Sequence, residues 1–309
     1  MEYCLGIDIG GTKTAVALAD SSATPIITKS FPTKPQDGAE SLVRRIKETY
    51  EDLCHNQGIK KEQVAFCGVA CPGPLDVKRG RIIHIATMGF RDVPIKAMLE
   101  TALSLPIYLE NDANCAALAE SIIGVAKGAD PLVYVTISTG VGAGIIADGK
   151  ILSGALSSAG EIGHLTVEPD GKECPCGKKG CLELYSSGTA IANAATAVRG
   201  DKTDTKTVFT LAREGDNEMK KIIGVAADKL GLALSSVYHL IDPEAIVLGG
   251  SVTKDYSDFE ADLNKALIKY TQPVDNRSFN IKISNFDGEQ VLLGALLYAT
   301  QCIGGLIGE

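Results

Sequence analysis

Asp8-Ile9-Gly10-Gly11-Thr12-Lys13 puts a carboxylate, two glycines, a hydroxyl and an ammonium within six residues. That set suits a polyphosphate, because glycine lets backbone N–H groups come close to phosphates while the hydroxyl and the lysine add donors. Asp8 is then available to a magnesium ion through water, since magnesium keeps much of its hydration shell. A plain Gly-Gly hairpin fits the same residues. A second polar glycine turn, Ser138-Thr139-Gly140-Val141-Gly142, follows about 130 residues later, Gly140 against Gly11. Two other phosphate motifs fit less well. From Gly6 the spacing is one residue off a Walker A loop, which must open a helix, whereas Ala15-Val16-Ala17-Leu18-Ala19 runs on to a turn at Asp20-Ser21-Ser22. Gly140-Val141-Gly142-Ala143-Gly144 lacks the dinucleotide spacing and leads to a turn at Asp148-Gly149.

His164, Cys174, Cys176 and Cys181 offer one imidazole and three thiolates within eighteen residues. Cys3His is a closed tetrahedral set for zinc, leaving no position for water, so its role is structural. Gly177 and Gly180 permit the tight turns that gather the ligands. The alternative is buried free thiols. The other six cysteines, Cys4, Cys54, Cys67, Cys71, Cys115 and Cys302, mostly sit in apolar runs and read as core packing.

Strands and helices alternate along the chain, which places it in the α/β class. Strands are expected over 3–9, 14–18, 64–69, 107–109, 132–137, 143–147, 245–248 and 280–283. Helices are expected over about 39–56, 95–103, 113–123, 218–240, 259–270 and 290–302. Asp112 stands where a strand ends and a helix begins, a position that suits either a helix cap or a reactive carboxylate. The two glycine hairpins form a weak internal repeat. No low-complexity linker marks a boundary between halves.

With 309 residues, 45 % of them apolar and 22 % charged, the chain can bury a substantial core. A net charge of −8 argues against nucleic acid as a partner. No apolar run is long enough to span a membrane, and no export signal is apparent at Met1-Glu2-Tyr3, so a cytoplasmic protein is expected.

Taken in order, these segments resemble the ROK family (repressors, open reading frames and kinases) of the actin-like ATPase superfamily. The resemblance covers nearly the whole chain. It rests on the Asp8–Lys13 and Ser138–Gly142 segments, Cys71-Pro72-Gly73-Pro74-Leu75-Asp76 and Glu110-Asn111-Asp112. It continues through Glu161-Ile162-Gly163-His164, Cys174-Pro175-Cys176-Gly177, Gly180-Cys181-Leu182-Glu183 and Val247-Leu248-Gly249-Gly250.

The resemblance implies a two-domain actin-like (ribonuclease H-like) fold with a cleft between the domains. Residues 1–115, joined by a helix over 290–309, form the N-terminal α/β domain; residues 116–289 form a larger one carrying the zinc loop. It implies ATP with magnesium, held by Asp8, Gly10, Gly11, Thr12 and Lys13, by Thr139, Gly140 and Gly142, and by Gly249 and Gly250. A hexose or N-acetylhexosamine would be held by Gly73, Thr87, Asn111, Asp112, Glu161, His164 and Glu183, with Asp112 as the base. His164 would serve both zinc and sugar.

Many members carry asparagine where Thr87 stands, so an altered contact at one ring hydroxyl is expected here. Glucose is the commonest family substrate; N-acetylmannosamine, allose, fructose and mannose stay open. The implied activity is ATP-dependent phosphorylation of a sugar hydroxyl, the 6-OH first, by a homo-oligomer. A non-catalytic sugar sensor and a repressor are the alternatives; a repressor would need a DNA-binding segment ahead of Asp8.

Overall fold

The computed structural model describes residues 3–273 and 278–307; Met1, Glu2 and residues 308–309, which the sequence reading assigns to the ends of the first domain, lie outside the described residues. In chain order the elements are β1 (Tyr3–Ile9), β2 (Lys13–Asp20), β3 (Pro25–Pro32), α1 (Gly38–Gln57), β4 (Val64–Cys71), β5 (Leu75–Asp76), β6 (Arg81–Ile85), β7 (Phe90–Val93), α2 (Ile95–Leu103), β8 (Ile107–Asn111) and α3 (Asp112–Ile122). They continue with β9 (Leu132–Ile137), β10 (Val141–Ala147), β11 (Lys150–Ile151), α4 (Glu183–Ser186), α5 (Gly188–Arg199), α6 (Thr205–Arg213), α7 (Asn217–Leu240), β12 (Ala245–Gly249), α8 (Glu260–Tyr270), β13 (Ile281–Ile283) and α9 (Gln290–Ile307).

Two compact units result: 1–122 with 151–159 and 286–309, and 123–150 with 160–285. The first is built on a sheet of order β3-β2-β1-β4-β8. β1, β2 and β3 form an antiparallel meander, and β4 and β8 run parallel to β1. Being covered on both faces, β1 is apolar almost throughout, with Cys4, Leu5, Ile7 and Ile9 buried. Helix α1 turns Leu42, Ile46, Tyr50 and Leu53 into the core. It ends at Gly58, whose left-handed φ of 64° lets its N–H close on Cys54 and His55 carbonyls. A small sheet, β5-β6-β7, follows the Pro-Gly-Pro loop.

The second unit repeats the pattern. Its sheet runs β11-β10-β9-β12-β13, again a meander followed by parallel strands. The faint repeat in sequence is therefore a repeat of topology, and both sheets have the ribonuclease H-like strand order. Its core gathers Val135, Phe209, Leu230, Leu234, Leu248 and Leu263. Aspartate and serine side chains start its helices: Asp216 accepts N–H bonds from Glu218 and Met219, Asp204 from Thr207, and Ser187 from Ala190. Among the described residues, no helix is long and apolar enough to cross a membrane.

Candidate active site

In the first unit the parallel strands β1, β4 and β8 lie side by side, and Asp8, Gly73 and Asn111-Asp112 all occur at or just past their carboxyl ends. Ligands of open α/β sheets gather at such ends. The Gly10–Thr12 turn is closed by Gly10 N–H bonding Lys13 C=O at 3.0 Å. A Cβ on Gly10 would lie 2.7 Å from that oxygen, so only glycine fits the turn. Thr33, fully buried, braces it from outside: its hydroxyl donates to Gly10 C=O at 2.6 Å and its N–H to Thr12 C=O at 2.9 Å. Gly11 and Thr12 are exposed, and Thr87 Oγ1 stands 4.0 Å from where a Gly11 Cβ would be. Nothing local in the sequence marks Thr33, which lies 23 residues from Gly10.

Asp8 is pushed up to about 7, first by burial, then by the charge of Asp112, with Lys13 pulling it back. Burial also raises the thiols of Cys71 and Cys115, each of which feels both carboxylates. They stay neutral and form an apolar wall. Two carboxylates that feel each other's charge offer hard oxygen donors of the kind a small divalent cation such as magnesium takes.

The helix cap falls to Asn111: its Oδ1 accepts the Ala113 N–H at 2.9 Å and the Asn114 N–H at 3.3 Å. Asp112 receives the adjoining Ala113 N–H at 2.8 Å. With Oδ1 engaged, the Nδ2 end of Asn111 is what it can offer a ligand. Glu110 behind them is buried; it accepts the Asn111 N–H at 2.7 Å, Asn114 Nδ2 at 2.9 Å and Ser153 Oγ at 3.4 Å.

In the second unit the matching turn spans Ser138, Thr139 and Gly140, with Ser138 N–H bonded to Gly140 C=O at 2.9 Å. Gly142, expected in the turn, is one residue inside β10, paired with Thr136, because the ladder begins at Val141. Gly249 ends β12, and Gly250 takes a φ of 94°, with its Cβ space closed at 2.4 Å by the Ile137 carbonyl oxygen. Ser251 Oγ reaches Ser138 Oγ at 3.2 Å. Glu183 bonds the Val141 N–H at 2.9 Å through Oε2. Glu161 is exposed and precedes a single 3-10 turn, Ile162–His164.

His164, Cys174, Cys176 and Cys181 converge, with their ligand atoms all within 4.8 Å of one another. Cys176 Sγ and Cys181 Sγ are 3.6 Å apart, and Cys174 Sγ and His164 Nδ1 3.8 Å. Thiolates on ~2.3 Å arms of a tetrahedron stand about 3.8 Å apart, so the set fits zinc. The Lys178 backbone N–H lowers the Cys176 thiol, while burial pushes Cys181 up to about 12. A cation at the centre would favour the thiolate form against the burial of Cys181. Of the remaining cysteines, Cys302 is half-buried and the other five are buried.

The sequence model described as ROK family matches residues 4–302. A protein named glucokinase from Halalkalibacterium halodurans is 36 % identical over 267 residues, 82 % of this chain and 81 % of its own. An N-acetylmannosamine kinase of Yersinia pestis is 36 % identical over 249 residues, covering 80 % of this chain and 82 % of its own. Among solved structures, a ROK family glucokinase from Streptomyces griseus in complex with glucose and AMPPNP matches with a TM-score of 0.80. It is 30 % identical, and the match covers 97 % of this chain and 99 % of that one.

Proposed function

The chain belongs to the ROK family, and we propose that it is an ATP-dependent hexose kinase that moves the γ-phosphate of ATP onto a sugar hydroxyl, with glucose as the substrate. The observation that carries this reading is the pair Asp8 and Asp112: two carboxylates close enough to repel, at the carboxyl ends of parallel strands, beside a glycine turn with exposed Gly11 and Thr12. Relatives named glucokinase and N-acetylmannosamine kinase support the sugar, and AMPPNP, an ATP analogue, in the solved relative supports the nucleotide.

Phosphoryl transfer asks a protein for positioning and charge neutralisation more than for covalent chemistry. In this reading Asp112 takes the proton from the sugar hydroxyl as it attacks, and Asn111 Nδ2 orients that sugar. Gly11, Thr12 and Lys13, with Thr139 and Gly140, serve as phosphate contacts, and Gly249 and Gly250 as adenosine contacts. Magnesium, beside Asp8, supplies neutralisation of the phosphates when bound. Gly73, Thr87, Glu161, His164 and Glu183 contact the sugar, and zinc on His164, Cys174, Cys176 and Cys181 holds that loop in shape.

The test is ADP release with magnesium and ATP across hexoses and N-acetylhexosamines. Glucose should give the highest turnover; N-acetylmannosamine in first place would move the substrate, and no release with any sugar would remove the kinase reading. Asp112→Asn should lose about 10²–10⁴-fold in kcat, the usual contribution of a positioned base, while keeping its affinity for sugar. Near wild-type turnover in that variant would take Asp112 out of the role.

A further inference from the structure

Glu183 lies against the second glycine turn. Its Oε2 accepts the Val141 N–H at 2.9 Å, and a Cβ on Gly140 would meet the same oxygen at 2.4 Å. The backbone of Gly140 is not left-handed, so its conformation does not call for glycine. A Cβ there would have to push the Glu183 carboxylate off the turn.

Glu183 opens α4, four residues long and held on all sides. Leu182 N–H bonds Leu165 C=O at 2.9 Å, and Leu184 N–H bonds Cys181 C=O at 3.0 Å. Lys172 donates its N–H to Tyr185 OH at 3.0 Å and its Nζ to Leu184 C=O at 3.2 Å. The Tyr185 ring also lies under the Lys172 and Lys229 ammonium groups, 5.0 and 5.9 Å away. Just past the helix, Gly188 N–H bonds the Ser138 carbonyl at 2.7 Å. A carboxylate on so fixed a base can hold the turn it touches.

We infer that Glu183 is a positioning residue for the nucleotide: it pins the Val141 amide and so sets the orientation in which Thr139 and Gly140 meet the phosphates. The inference rests on the reading that this turn holds the triphosphate. It is separate from any contact between Glu183 and sugar, because the bond that carries it runs from Oε2 to the backbone of the turn itself.

AMPPNP with magnesium, titrated without sugar into the full-length protein by calorimetry, reads this role alone. Glu183→Ala should weaken AMPPNP about tenfold, the size of one lost charge-assisted hydrogen bond. Glu183→Gln, which keeps an acceptor oxygen, should stay within about threefold. Gly140→Ala should weaken binding in the wild-type background and add little in Glu183→Ala, because the group it strikes is gone; that coupling is what a contacting pair shows and a distant one does not. Unchanged or tighter AMPPNP binding in Glu183→Ala, or strictly additive effects, would overturn the inference. If Glu183→Ala does not fold, Glu183→Gln and Gly140→Ala decide it: binding kept by the first and weakened in the second supports the role, and a loss in Glu183→Gln or unchanged binding in Gly140→Ala overturns it. A wild-type protein that binds no AMPPNP overturns the kinase reading and this inference with it, whereas normal wild-type binding with additive variants overturns the inference alone.

Discussion

Asp8 carries a large electrostatic tension in the first unit. Its carboxyl moves from 3.8 to about 7, chiefly by burial and then by Asp112. Below 3.8 the group is protonated in both folded and unfolded chains and costs nothing. Between 3.8 and about 7 the unfolded chain releases the proton and the folded one keeps it, so stability falls as pH rises through this window. Above it the full penalty persists. Asp8→Asn should therefore raise the melting temperature of the magnesium-free protein at pH ~8 and leave it nearly unchanged at pH ~4, the difference being on the order of 1–4 kcal/mol. Added magnesium should shrink the gain, since asparagine is a poor partner for the ion. An equal effect at both pH values would show that Asp8 does not hold this burden. The motif around Asp8 is local and legible in sequence, as is Glu183 as a site residue; Thr33, which fastens the turn, and the bond of Glu183 to Val141, 42 residues away, are not, because only folding brings them there.

Between His164 and Glu183 the chain has no helix or strand, only isolated bridges, Thr166 to Cys181 and Glu173 to Lys179. Scattered turn bonds, such as Val167 N–H to Gly180 C=O at 2.8 Å and Gly180 N–H to Lys172 C=O at 2.8 Å, fold these eighteen residues without a continuous ladder. A zinc site of this kind brings on the order of 10 kcal/mol in small modules, enough to decide whether the loop is ordered. Cys176→Ser should release the metal, speed amide exchange over residues 164–186 and weaken sugar binding, with the sheets unaffected. Unchanged metal content and sugar affinity would refute this.

Elements with continuous apolar runs or clear helical spacing, such as β1, β9, α1 and α7, are read from sequence to within a few residues of where they lie. β3 escapes because it is an edge strand, mostly exposed and bounded by Pro25 and Pro32. α5 and α6 also escape a reading by periodicity, although Ser187 and Asp204 cap them and could have marked their starts.

At the scale of the whole chain, the first unit is assembled from three separate stretches, and its last, α9, comes from the far end of the sequence. The helix buries Leu292, Ala295, Leu296 and Ala299. It approaches the sheet at two glycines that sit in register on neighbouring strands, Gly6 of β1 and Gly68 of β4. A Cβ on Gly6 would meet Leu296 Cγ at 2.8 Å, a side chain that can give way. One on Gly68 would lie 2.0 Å from the Ala295 carbonyl oxygen, and one on Gly294 would lie 1.8 Å from the carbonyl oxygen of Cys115 in α3. Backbone cannot yield without moving the helix, so these glycines set how closely the chain's end docks. Gly68→Ala should cost about 1–3 kcal/mol, the usual range for overpacking, and lower the urea midpoint without changing the m-value. Gly304→Ala, in the same helix with nothing within 4 Å, should be neutral or gain up to about 1 kcal/mol from helix propensity. Equal midpoints for the two variants would mean that α9 is not held at the distance these glycines allow.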